Sequence, residues 1–185
     1  MRRVMLGALA VLFTCSAATT FSQSGLPTTA TYVMADEIDK VVSAPGGGDR
    51  PVKIVDMGKY NISVAVLRRG ATKPGTPVGA INHTKVTEVY YVVSGSGTLV
   101  TGGEVKDAKP APADGQIVRE AVGPSNNATF VKPAQTRRIS AGDMVIIPAG
   151  VYHGFSEVPD HIEYVSMRPD VDKVLPGGYV SPLLK

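Results

Sequence analysis

Apolar residues recur at two different spacings along this chain. Between residues 34 and 45, Ile38, Val41 and Val42 fall on one side at helical spacing, and Pro45 stops the run. A short helix is expected there. Residues 46–51, Gly-Gly-Gly-Asp-Arg-Pro, read as a turn or linker. Beyond them the period changes to two. Residues 52–57 and 60–69 alternate or run apolar, as strands do. A connection rich in glycine and proline follows at 70–79. Residues 88–93 form a Val- and Tyr-rich strand, Gly95, Ser96 and Gly97 a turn, and residues 98–101 the returning strand. Gly102 and Gly103 turn again. Residues 104–116 carry charges and prolines and read as an exposed loop. Residues 116–120, 128–132 and 136–140 are further short strands, and 142–150 is a turn, a buried strand and a second turn. Residues 151–158 and 161–169 close the series. Many short strands, regular turn signals and one short helix argue for an all-β sandwich or barrel, and no repeat of solenoid length is present.

Composition agrees with that reading. The chain has 185 residues, 43% of them apolar and 19% charged, enough for one packed core. Its 20 glycines and 14 prolines favour turns and short strands over long helices.

The first residues stand apart. Arg2 and Arg3 precede an apolar stretch from Val4 to about Phe13, and small and polar residues follow. That is the plan of a secretory signal peptide, and the apolar run is short for a bilayer span. Cleavage after Ala18 or Ser22 fits, with Ser22 preferred. The expected organisation is a leader at 1–22, an N-terminal extension with a short helix at 23–50 and one barrel at 51–185. The protein would then be periplasmic or secreted, with no stable membrane anchor after cleavage. Cys15, the chain's single cysteine, leaves with the leader, so the mature chain has no disulfide and no thiolate chemistry. Two arginines leave as well, and the formal net charge of +3 falls accordingly. No basic stripe remains to bind nucleic acid.

Candidate chemistry centres on the three histidines, His83, His153 and His161. Residues 142–153 read Gly-Asp-Met-Val-Ile-Ile-Pro-Ala-Gly-Val-Tyr-His. This resembles the second conserved motif of the cupin superfamily: glycine, five residues, proline, one residue, glycine, two residues, histidine. In the first motif of that family two histidines precede a glutamate, which is followed by six residues and a glycine. Glu88 and Gly95 have that spacing, and His83 stands where the second histidine would. Ile81 occupies the place of the first, and Glu157 the place where the second motif usually carries asparagine. The resemblance implies a jelly-roll β-barrel and a divalent metal, Fe, Mn or Zn, on His83, Glu88 and His153.

Two imidazoles and one carboxylate suit such ions and leave positions open for water or substrate. Asn82, Thr84 and Glu157 are nearby oxygen donors that could complete the set. Side chains alternate along a strand, so His83 and Glu88 converge only if the chain breaks between Thr84 and Thr87. Tyr90, Phe155 and Tyr164 are candidates for the pocket wall, or for ordinary core aromatics. Arg168 is a candidate for meeting an anionic ligand. His161 is expected to be exposed. The small-molecule partner would be a metal-dependent enzyme's substrate in oxygenase, isomerase or lyase chemistry, or the sugar or organic-acid ligand of a metal-free binding barrel. Related barrels often pair through edge strands, which leaves a homodimer open to this chain.

Overall fold

The computed structural model describes residues 26–185. The leader expected at 1–22, with Cys15, lies outside the described residues. Among the described residues no helix is long and apolar enough to cross a membrane.

Eight antiparallel strands build two facing sheets, a jelly roll with one short helix. The first sheet contains β1 (Gly48–Asp56), β2 (Asn61–Gly70) and β8 (His161–Asp170). It also takes the first half of β4 (Glu88–Pro110) and the short β6 (Met144–Ile147). The second sheet contains the rest of β4, β5 (Ser125–Ser140), β3 (Gly79–His83) and β7 (His153–Glu157). Between them lies a core that includes Leu67, Tyr90, Val92, Leu99, Ile162 and Tyr164. The period of two in residues 60–69 and 161–169 is what lets each strand give one face to that core.

The expected turn at Gly95, Ser96 and Gly97 is not a turn. β4 continues through it and changes sheets: Gly95 still pairs with Ile162 of β8, and Ser96 already pairs with Ser140 of β5. Glycine is needed for close approach here. Gly95 has φ 70°, and a Cβ on it would lie 2.0 Å from the carbonyl oxygen of His161. Gly102 and Gly103 likewise stay within β4. The expected exposed loop at 104–116 is strand as far as Pro110, paired to β5 across two register shifts. Residues 116–120, expected as a strand, instead enter a π-helical turn, Val118–Val122. That turn buries Val118, Ala121 and Val122, an i, i+3, i+4 spacing that fits a helix, and the expected strand stopped at Glu120 before the last two of them.

The helix α1 (Ala35–Val42) packs on the outer face of the first sheet. Val41 meets Val52 and Val66, with Ile38 and Val165 beside them. Glu37 accepts the backbone N–H of Met34 at 2.9 Å and so caps the first turn. Lys53 of β1 donates to the same carboxylate at 2.6 Å, tying α1 to the sheet. The glycine-rich segment expected as a linker is partly strand, because β1 begins at Gly48. Arg50 in it donates to the carbonyls of Val41 and Ala44, closing the end of α1.

Candidate metal centre

Three strands bring the expected donors together. His83 ends β3, Glu88 begins β4, and His153 begins β7. The chain breaks between His83 and Glu88, where Thr84 donates its N–H to Pro124, so the parity of one continuous strand does not apply. The segment before His153 is fastened to β3. The N–H of Gly150 donates to the carbonyl of His83 at 2.8 Å, and the Asn82 amide donates to the carbonyl of Gly150 at 3.1 Å. Pro148 ends β6 and accepts from Val151, and Gly150 takes φ 84° in the bend. This is how the Pro-Ala-Gly spacing aims His153 inward.

One ligand atom from each of His83, Glu88 and His153 lies within 4.8 Å of the others. Glu88 Oε2 is 3.0 Å from His153 Nε2 and 3.3 Å from His83 Nε2. Donors about 2.1 Å from a shared ion stand about 3.0–3.4 Å apart at octahedral or tetrahedral angles, so the donor set fits a divalent cation. All three residues are buried, His83 and His153 to 4% and 3% exposure and Glu88 to 1%. Each histidine is oriented through its other nitrogen. His83 Nδ1 meets Ser125 Oγ at 2.8 Å, and His153 Nδ1 lies 3.1 Å from the carbonyl of Val151. Such partners fix ring orientation and aim Nε2 at the centre.

The two oxygens of Glu88 are divided between tasks. Oε1 accepts from Arg168 Nε at 2.8 Å and from Ser166 Oγ at 3.0 Å. Oε2 faces the histidines and accepts from the Tyr90 hydroxyl at 2.9 Å. Arg168 also donates through both Nη groups to Asp49 of β1. Burial alone would push the Glu88 carboxyl upward. The Arg168 charge and the hydrogen bonds of His153 and His83 outweigh it and hold the carboxyl well below its usual range. Burial, then the Glu88 charge, pushes the Tyr90 hydroxyl well up, and burial raises that of Tyr164. Both stay protonated near neutral pH.

A cavity of about 350 Å³ opens beside the cluster, lined by His83, His153, Tyr90, Leu67, Ile81 and Arg69 among others. Of the aromatic candidates for its wall, Tyr90 reaches it, and Tyr164 is fully buried behind Tyr90 with ring centroids 4.3 Å apart. Phe155 lines a neighbouring cavity of about 530 Å³ that also touches His153. Arg168 is wholly buried and committed to Glu88 and Asp49, so the candidate for meeting a ligand is instead part of the protein's interior. It shares parity along β8 with Tyr164 and Ser166, which are buried as well. Ile81 pairs with His153 and puts an apolar side chain where a fourth donor would stand. Asn82 Oδ1 accepts from Asn126, and Glu157 is exposed at the far end of β7, so neither completes the set. His161 is half-buried rather than exposed, held between Ser94 and Asp160.

Sequence reasoning missed Asp49, Arg69, Ser125 and Ser166. Asp49 lies 119 positions from Arg168, and no local pattern links them. Ser166 alone had a signal, the period of two in β8.

No family model matches the chain, and no curated protein matches it. Solved structures do. A conserved double-stranded β-helix protein from Klebsiella pneumoniae is 16% identical with a TM-score of 0.44, over 77% of this chain and 93% of that one. An RmlC-like cupin family protein from Methanocaldococcus jannaschii is 11% identical with a TM-score of 0.39, over 70% and 88%. A DMSP lyase from Ruegeria pomeroyi is 11% identical with a TM-score of 0.42, over 73% and 51%. These neighbours are cupin and double-stranded β-helix proteins, enzymes among them.

Proposed function

We propose that this chain is an exported metal-binding barrel of the cupin type that acts on a small polar molecule as a metal-dependent enzyme. One observation carries the reading: His83, Glu88 and His153 converge from three strands with their donor atoms facing one point. A bound Fe(II), Mn(II) or Zn(II) would supply Lewis-acid or oxygen chemistry, of oxygenase, isomerase or lyase type, at positions left open by three protein ligands. The chain's own residues set the conditions. Ser125 and the Val151 carbonyl orient the imidazoles, and Arg168 with Ser166 holds Glu88 Oε1 so that Oε2 is presented. Tyr90 donates at the centre and, staying protonated, cannot serve as a base near neutral pH. Leu67 and Ile81 keep part of the wall apolar. Export rests on the arginines, apolar run and small residues of positions 1–22.

Metal analysis of protein recovered from periplasm or medium tests this. Close to one ion per chain is expected in the wild type, with loss in both His83→Ala and His153→Ala, and a mass lacking the first 22 residues. Metal-free wild type, or metal retained in both variants, sinks the metal reading; a retained leader sinks export.

Ile81 at the position of a fourth donor favours a second reading, a metal-free barrel that binds a sugar or organic acid without catalysis. Metal-free protein that still binds a small ligand is the outcome that selects it. Pairing of two copies through sheet edges belongs to either reading, and size-exclusion chromatography decides it.

A further inference from the structure

We infer that the cavity mouth is an anion site in which Arg69 holds the carboxylate of a small organic acid with an apolar body. This takes its place beside the metal centre from the reading above and names the ligand class. Arg69 closes β2 and lines both the cavity containing His83 and His153 and the neighbouring one containing His153 and Phe155. Its Nε donates to the Tyr164 hydroxyl at 3.0 Å. Its guanidinium lies over the Phe155 ring, 5.4 Å from the centroid. Those two contacts set the plane of the guanidinium from one edge and one face. Its two Nη groups meet no acceptor among the described residues, and they form the planar fork that matches a carboxylate.

The acids around it are already occupied. Both oxygens of Asp49 accept from Arg168, Glu88 Oε1 accepts from the same guanidinium, and Glu163 pairs with Arg68. A cation thus stands at an opening whose neighbouring carboxylates are spoken for. Leu67, Ile81, Val122 and Phe155 supply an apolar part of the wall that suits hydrocarbon, beside the polar groups of Asp49, Tyr90 and the two histidines. A phosphate would call for more donors than one fork provides. A carboxylate on an apolar stem matches the open fork of Arg69 and the apolar part of the wall next to it.

The test uses full mature protein and three probes: phenylacetate, butyrate and succinate, with phenylacetamide as the uncharged control. Binding is followed by amide chemical-shift titration, and metal content is measured on the same samples. At least one carboxylate is expected to bind and shift resonances of Leu67, Ile81 and Phe155, and phenylacetamide is expected to bind at least about tenfold more weakly than phenylacetate. Arg69→Met should weaken carboxylate binding by at least about tenfold without changing metal content, and Arg69→Lys should lose less. The variants' amide spectra report whether each remains folded, and Arg69→Lys preserves the test if Arg69→Met does not fold. Carboxylate binding unchanged in Arg69→Met, equal binding of acid and amide, or no binding of all three acids overturns the inference. Metal-free wild type that still binds carboxylate through Arg69 supports the anion site and overturns only the metal reading.

Discussion

Arg168 shows how one side chain can be indispensable without touching a ligand. It is fully buried between Glu88 and Asp49, and removing it leaves two carboxylates facing each other in the interior. Arg168→Met is expected to cost about 3–5 kcal/mol of stability, because an uncompensated buried charge is far more expensive than the intact pair is favourable. Urea unfolding measures that loss. The double variant Arg168→Met with Asp49→Asn should recover part of it, and no recovery would show that the two residues are not coupled. The three donors were legible because glycine, proline and histidine spacing fixes a bend before His153, and six residues separate Glu88 from Gly95. Arg168 was read as a ligand contact, and the structure buries it between Glu88 and Asp49. A guanidinium looks the same in sequence whether its partner is a ligand or an aspartate 119 positions away.

At the scale of the element, α1 hangs on Glu37. The hydrogen bond from Lys53 and then the Met34 N–H hold this carboxyl below its ordinary value of 4.5. A carboxyl lowered in the folded state stabilises at pH above its unfolded value, and that contribution disappears as pH falls through the lower folded value. Hydrogen exchange should therefore show α1 protected at neutral pH and loosened as acid protonates Glu37, before the strands lose protection. Glu37→Gln should loosen it at both pH values; equal protection of α1 in acid and at neutrality would rule out this anchor. The helix was readable from Ile38, Val41, Val42 and Pro45, since three apolar residues at helical spacing need only a single apolar surface to lie on. The long strand β4 was not readable. Its glycines at 95, 102 and 103 carry the same signal whether the chain reverses or bends within a strand, and pairing to β8 and β5 decides between them. The π-helical turn at Val118–Val122 was lost because its i, i+3, i+4 spacing shows only when Ala121 and Val122 are read together with Val118, and the strand reading stopped at Glu120.

For the whole molecule, closing two sheets over one core buries Glu88 with His83 and His153 and presents their donor atoms to one point. An ion that binds only the folded barrel adds stability in proportion to the logarithm of its concentration, about 2.7 kcal/mol at a hundred times its dissociation constant. Thermal unfolding with Zn(II) or Mn(II) should shift upward by several degrees in the wild type and stay put in His153→Ala. Equal shifts in both would place the ion elsewhere. The double-sheet architecture was legible as a class, because alternating strands with one apolar face have few ways to hide it. The pairing that joins β3, β4 and β7 at the donors was visible only through motif spacing.

The course of β4 has a consequence for how this protein tolerates change. The same strand begins with Glu88 and, at Thr101, lies opposite His153. It therefore acts as a gauge between a carboxylate in one sheet and an imidazole in the other. Lengthening or shortening it by a single residue, unless a bulge such as those at Val92–Ser94 and Thr98–Leu99 absorbs it, would invert the side chains downstream and draw the two donors apart. Insertions are expected to be better tolerated in the connections outside that interval, at the rims of the barrel.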